Sequence, residues 1–128
     1  MKNYVLIADT YSNLCYWQTV INVASSREVD SMLIEDFTKE DFKLEDCEAV
    51  FVCGNESNEE LNELRDLLVF LESKQIPMYL NTVAYELYEQ LNMTSSLIKG
   101  LFYYEMSILE LSKMLEQKGI RTNTYVNK

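Results

Sequence analysis

The sequence predicts an α/β domain. It should be a small doubly wound sheet of four to five mostly parallel strands, Rossmann- or flavodoxin-like, with helices on both faces and a long C-terminal helix. Three observations carry that expectation. Tyr4–Ala8 and Ala49–Cys53 are continuous apolar runs of strand length, without the polar alternation of a half-exposed strand. Segments with apolar residues at helical spacing follow such runs in turn, and strand–helix alternation implies a parallel sheet covered on both sides. Only three glycines and one proline occur in 128 residues, which favours long regular elements over a loop-rich fold. One domain, residues 1–128, is expected at this length.

Each element has its own justification. After the first strand, Ser12 or Asn13 can cap a helix whose apolar positions Leu14, Trp17, Ile21 and Ala24 recur at steps of three and four. Val29–Ile34 reads as a second strand, and Asp36–Glu48 as a polar connection with at most one helical turn. The third strand ends at Gly54–Asn55. Ser57 and Glu60 then form a capping box ahead of the stripe Leu61, Leu64, Leu68 and Leu71, with an end near Lys74. Ile76–Leu80 is the fourth strand, where Pro77 is tolerable only at the start or on an edge. Thr82 can cap the next helix, carried by Val83, Leu87 and Leu91. A last helix is expected from Ser95 or Ser96 to about Lys118, stopped by Gly119, with Arg121–Val126 as a short fifth strand.

Composition excludes several classes of function. With no histidine, the chain cannot supply a Ser–His–Asp or Cys–His unit or a His-ligated metal. Cys15, Cys47 and Cys53 are odd in number and have no C-x-x-C spacing, so they read as small buried residues of a reducing compartment. No D-x-D-x-D-G loop is present, and neither a metal nor a cofactor is expected. The first apolar run is too short for a signal segment or a membrane span, and a cytoplasmic protein without membrane contact is expected. At a net charge of −10 the chain repels phosphate, so direct nucleic-acid binding is not expected.

The acidity is concentrated. Fourteen acids between Glu28 and Asp66 face only Lys39, Lys43 and Arg65, a net of −11, so the remainder sums to +1. A solvated edge, a docking surface for a basic partner (including mimicry of DNA phosphates) and steering of a cationic ligand are all consistent with this segment.

In an open parallel sheet, ligands bind beyond the carboxyl ends of the strands. That rule selects Asp9, Thr10, Tyr11, Ser12 and Asn13 after the first strand, Gly54, Asn55 and Ser57 after the third, and Asn81 and Thr82 after the fourth. Hydroxyls, amides and carboxylates suit a nucleoside or nucleotide better than a bare phosphate, since G-x-G-x-x-G and G-K-S/T are both absent. Glu60 and Glu63, with Glu59 one turn before Glu63, are the candidate catalytic carboxylates for glycosyl transfer. First-turn acids are also favoured by the helix dipole alone. Cys53 lacks a histidine base to activate it.

The stretch Leu44–Gly54, the helix Ser57–Lys74 and the strand Ile76–Tyr79 together resemble the core of nucleoside 2-deoxyribosyltransferase-like proteins. That family has a D-A-D-A-V strand, an acid-bearing helix and a G-I-P-V-Y strand. Here the pieces read Glu45-Asp46-Cys47-Glu48-Ala49-Val50 and Gln75-Ile76-Pro77-Met78-Tyr79. The resemblance implies a nucleoside-sized cleft and a glutamate nucleophile at Glu60 or Glu63. The glycine that usually precedes that glutamate is missing, as is the family's small-residue turn after the first strand.

Leu97, Leu101, Tyr104, Ile108, Leu111 and Leu115 form a 4-3-4-3-4 seam, with Ile98, Phe102, Met106 and Leu109 beside it. Two stripes on one helix imply a second surface to cover, and a homodimer through the 97–115 helix is expected, with a broad intramolecular core as the alternative. Three functions follow: a nucleoside- or nucleotide-type ligand domain with glycosyl-transfer or hydrolase activity; a non-enzymatic acidic protein that inhibits a basic, nucleic-acid-binding partner through residues 28–66; or a structural subunit. The sequence does not decide whether the chain is an enzyme.

Overall fold

The computed structural model describes residues 3–37, 47–54, 58–93 and 95–116. Its elements follow the alternation of the sequence. β1 (Asn3–Ala8) leads to α1 (Tyr11–Ser25), then to β2 (Val29–Leu33) and a 3₁₀ turn at Ile34–Asp36. β3 (Cys47–Cys53), α2 (Asn58–Ser73), β4 (Met78–Leu80) and α3 (Thr82–Gln90) come next. A second 3₁₀ turn at Ser95–Leu97, β5 (Ile98–Leu101) and α4 (Ile108–Glu116) complete the described chain.

The five strands form one sheet in the order β2-β1-β3-β4-β5, and every pairing is parallel. One row across it runs Ser31, Leu6, Phe51, Tyr79 and Gly100. The first and third strands lack polar alternation because helices cover both faces. Val5, Ile7, Val50, Val52, Met78 and Leu80 point to one side, under Leu64, Leu67, Leu68 and Leu71 of α2 and Ala84, Leu87 and Tyr88 of α3. Tyr4, Leu6, Ala8, Phe51 and Tyr79 point to the other, under Trp17, Val20 and Ile21 of α1 and Leu111 of α4. On that side Phe51 stacks on Tyr79 at 4.6 Å and Trp17 meets Phe102 edge-on at 4.8 Å.

The expected long C-terminal helix is not formed. Its residues instead divide into the 3₁₀ turn, an edge strand and the nine-residue α4. β5 pairs with β4, whose edge would otherwise be open, and Phe102 N–H donates to the Leu80 carbonyl at 3.0 Å. Gly100 marks the break: a helix-interior glycine costs about 1 kcal/mol relative to Ala. On β5 its missing side chain admits α4, since a Cβ there would stand 2.5 Å from Met114 Sδ. The 97–115 seam is therefore not one surface. The fifth strand is Ile98–Leu101, whereas the expected strand at 121–126 lies outside the described residues.

The caps also differ by a residue or more from expectation. Thr10, not Ser12 or Asn13, caps α1, its Oγ1 accepting from Asn13 N–H at 3.2 Å. Asn81, not Thr82, caps α3. α4 opens with a reciprocal capping box: Ser107 Oγ accepts from Glu110 N–H at 3.0 Å, and Glu110 Oε1 accepts from Ser107 N–H at 2.9 Å. The backbone and side-chain bonds from Ser107 also lower the Glu110 pKa.

Candidate functional site

The carboxyl edge of the sheet brings Asp9, Thr10, Asn13, Gly54 and Asn81 together, as expected of a parallel α/β fold. Asp9 N–H still belongs to the ladder, donating to the Cys53 carbonyl at 3.1 Å, and Asn81 N–H donates to Val52 at 3.2 Å. Their side chains then turn to neighbouring backbone and side chains. Asn81 Oδ1 accepts from both Gly54 N–H (2.9 Å) and Ala84 N–H (3.1 Å), while its Nδ2 donates to the Gly54 carbonyl at 3.1 Å. One amide thus ties the end of β3 to the start of α3. Gly54 also lets α2 close on the end of β3, because a Cβ there would fall 2.6 Å from Leu64 Cδ2.

On the β1 side, Asn13 Nδ2 donates to Asp9 Oδ1 at 2.9 Å. Asp9 Oδ2 is buried without a conventional hydrogen bond. The buried Cys53 thiol, a weak donor, lies beside the same carboxyl group. Burial, the Asp9 charge and the thiol's hydrogen bond to that carboxyl push Cys53 up to about 12. A thiol so shifted stays protonated at neutral pH and is no nucleophile. Tyr11, Ser12 and Thr82 are exposed on the first turns of their helices. Asn55 and Ser57, and the side chain of Glu60, lie outside the described residues. Among the described residues, no three His, Cys, Asp or Glu side chains gather as metal ligands would.

Glu63 faces elsewhere. It lines a shallow pocket of about 220 Å³ between the first 3₁₀ turn and α2, with Ile34, Glu35, Phe37, Asp66 and Leu67. No predicted ligand residue shares that lining. The floor is apolar, and Phe37 meets Phe70 edge-on at 5.6 Å. The rim carries three carboxylates. Glu35 and Asp66 belong with Glu63 to the acidic segment of the sequence, which carries no sign that the three meet. Asp66 lies three residues after Glu63 and so shares its helix face, whereas the contribution of Glu35 depends on a non-local contact.

At the opposite edge of the sheet, Arg27 forms an ion pair with Glu48 and lies over the Tyr4 ring, 4.9 Å from its centroid. Burial, then the Glu48 charge, raises the Tyr4 pKa. This group ties the start of β3 to the turn after α1.

No protein-family model matches the chain, and no curated protein does. Solved structures do. A protein from Burkholderia pseudomallei K96243 described as pilus assembly-related superposes with a TM-score of 0.60 at 10% identity, over 91% of this chain and 89% of that one. A protein from Burkholderia thailandensis E264 described as the pilus assembly protein cpaE gives 0.60 at 12% identity, over 92% and 98%. A response regulator receiver domain protein from Clostridium thermocellum gives 0.56 at 7% identity, over 98% and 99%. The chain has a receiver-like, flavodoxin-type fold. At these identities the likeness concerns the fold alone. The three neighbours are not described as nucleoside deoxyribosyltransferases, and they lend no support to a nucleotide-binding enzyme. No helix among the described residues is long and apolar enough to cross a membrane.

Proposed function

We infer that the chain is a non-catalytic interaction domain that binds a basic, amphipathic protein segment at the pocket between the 3₁₀ turn Ile34–Asp36 and α2. The observation that carries this reading is the lining of that pocket: Glu35, Glu63 and Asp66 around Ile34, Phe37 and Leu67. An apolar floor with an acidic rim suits a Lys- or Arg-bearing segment with aliphatic residues on one side, and charge of one sign steers such a partner. The sequence segment 28–66, to which all three acids belong, sums to −11 and favours a partner of the opposite sign. The carboxyl edge supports the reading from the other side, since the hydrogen-bonding groups of Asn81, Asn13 and Thr10 are engaged in caps and bridges.

The test is fluorescence anisotropy with a labelled amphipathic peptide of Leu and Lys, and a Leu and Glu peptide as control. Saturable binding of the first alone is expected, weakening as salt rises. Glu63→Lys and Asp66→Lys should each weaken it about tenfold or more, while Glu86→Lys, on exposed α3 surface, should change it far less. Equal loss in all three variants, or no binding, would overturn a local site.

A second reading, a nucleoside-type small ligand at the carboxyl edge, is favoured by the unpartnered Asp9 Oδ2. A thermal-shift screen against nucleosides and nucleotides tests it. A ligand at about 100 times its dissociation constant adds about 2.7 kcal/mol, and that gain should vanish in Asp9→Asn. Silence across the screen removes the reading, and with it glycosyl transfer at Glu60 or Glu63.

A further inference from the structure

The layer over the Tyr4–Phe51 face of the sheet presents an unusual outer surface. Residues 11–25, all of α1, contain no Asp, Glu, Lys or Arg, in a chain of net charge −10. Tyr11, Cys15, Thr19 and Val23 follow one another at steps of four and are all exposed, so they form one outward line along the helix. Tyr16 stands beside that line and stacks on Tyr104 of the β5–α4 connection, with ring centroids 4.9 Å apart. Tyr11 is 70% exposed, Tyr104 64%, Leu109 64% and Val23 57%. Tyr16 and Ile108 add smaller exposed areas to the same layer.

We propose that this layer is a self-association surface, on which a second copy of the chain packs α1 against α1 about a two-fold axis. Charge selects the occupant. A basic partner is drawn to the opposite layer, where Glu35, Glu63 and Asp66 lie. Two copies of an acidic chain repel wherever carboxylates meet, and α1 brings none to the contact, the exposed Glu105 and Glu110 lying on the flanking 104–110 segment. Depletion of charge with enrichment of tyrosine is the composition of an interface core. Area agrees: with about 200 Å² for a fully exposed large side chain, the six apolar residues named here offer roughly 600 Å². A standard interface buries about 800 Å² per partner, and the intervening Thr19 and Cys15 would supply part of the rest. The dimer expected from the 97–115 seam is thereby relocated, since that seam is split between β5 and α4. The proposal does not require that the acidic pocket bind a partner.

Sedimentation equilibrium of the full chain, followed from about 10 to 300 μM, reads it directly, because dimers of this interface size span the micromolar range. Twice the 15.0 kDa chain mass is expected at the upper end, and rising salt should favour it by screening the repulsion between two chains of net charge −10. Thr19→Glu and Val23→Glu place a better helix former at exposed positions. Each should shift the equilibrium toward monomer at least about tenfold, while Glu86→Gln leaves it unchanged. The wild type supplies a second readout. Cys15 is exposed on the α1 line, and Cys47 and Cys53 are buried, so the alkylation rate of Cys15 should fall as concentration passes through the dimer range. A monomer mass at every concentration would overturn the proposal. So would a dimer that persists in Val23→Glu, or one whose formation leaves Cys15 alkylation unchanged.

Discussion

The two helical layers of this domain rest on the same sheet, and α1 in one differs sharply from α2 in the other in what it shows to solvent. Beneath α2 and α3 lie Val5, Ile7, Val50, Val52, Met78 and Leu80, and the outer surface there carries the acids Glu35, Glu63 and Asp66. Beneath α1 and α4 lie Tyr4, Leu6, Phe51 and Tyr79, and α1 outside them carries no charge. The inner faces are equally well buried, so the contrast is not one of core quality. The alternation of side chains along each strand serves the fold, while the outward helix positions are free to differ in charge and so in the partner they admit.

If both layers depend on one sheet, damage to either core should unfold the whole chain. Phe51→Ala, beneath α1, should cost about 3–5 kcal/mol and Leu68→Ala, beneath α3's neighbour α2, about 2–5 kcal/mol. Urea unfolding followed by Trp17 fluorescence and by far-UV circular dichroism should give coincident transitions in both. Separate transitions would mean that the layers are independent units. Next in size is the tie at the carboxyl edge. Asn81→Ala removes a cap and strands Gly54, and should cost about 2–3 kcal/mol. Asn81→Asp keeps the acceptor and should lose less.

The two close-packed glycines provide a finer contrast between layers. Gly54→Ala must displace the fully buried Leu64 on the α2 side, at about 1–3 kcal/mol. Gly100→Ala meets chiefly the flexible Met114 thioether on the α4 side, and should cost about 1 kcal/mol or less. Alkaline pH bears on the α1 side. Cys53, Tyr4 and Tyr79 all have pKa values raised above their ordinary ones, chiefly by burial. The unfolded chain releases those protons first, so stability is intact below about pH 9 and falls as pH rises from there toward about 12 for Cys53. Cys53→Ala should make that fall shallower in a pH series of melting temperatures. The smallest effect belongs to the helix ends: Gln75 sits at a φ of 60°, and Gln75→Gly should stabilise by about 0.5 kcal/mol.

Much of this architecture was legible in the sequence. Tyr4–Ala8 and Ala49–Cys53 stand out because a strand covered on both faces has no polar alternation to hide it. The leucine stripe of α2 stands out because one helix face carries most of its burial. The C-terminal third was misread because spacing of three and four is shared by a true helix and by a strand, a loop and a short helix placed end to end. Two local signals pointed the other way: Gly100 within the supposed helix, and Ser107 with Glu110 three residues later, the capping box that opens α4. At the carboxyl edge Asp9, Thr10, Asn13, Gly54 and Asn81 come together, as the topology of a parallel sheet leads one to expect, and several of their polar groups serve as caps and bridges. Residue types that suit a ligand also suit caps, and only distances separate the two uses. The acidic pocket needed Glu35 and Glu63 to meet across 28 positions of sequence, which no local pattern encodes.

The interior position of β1 has a consequence for synthesis of the chain. Its partners on either side are β2 and β3, so β1 has one neighbour to meet early and another that leaves the ribosome only with residues 47–53. Emerging chain therefore carries Val5 and Ile7 without the leucines of α2 that cover them. The ordering of the sheet makes the first half of this protein a segment that must be kept from other apolar surfaces until its second half arrives.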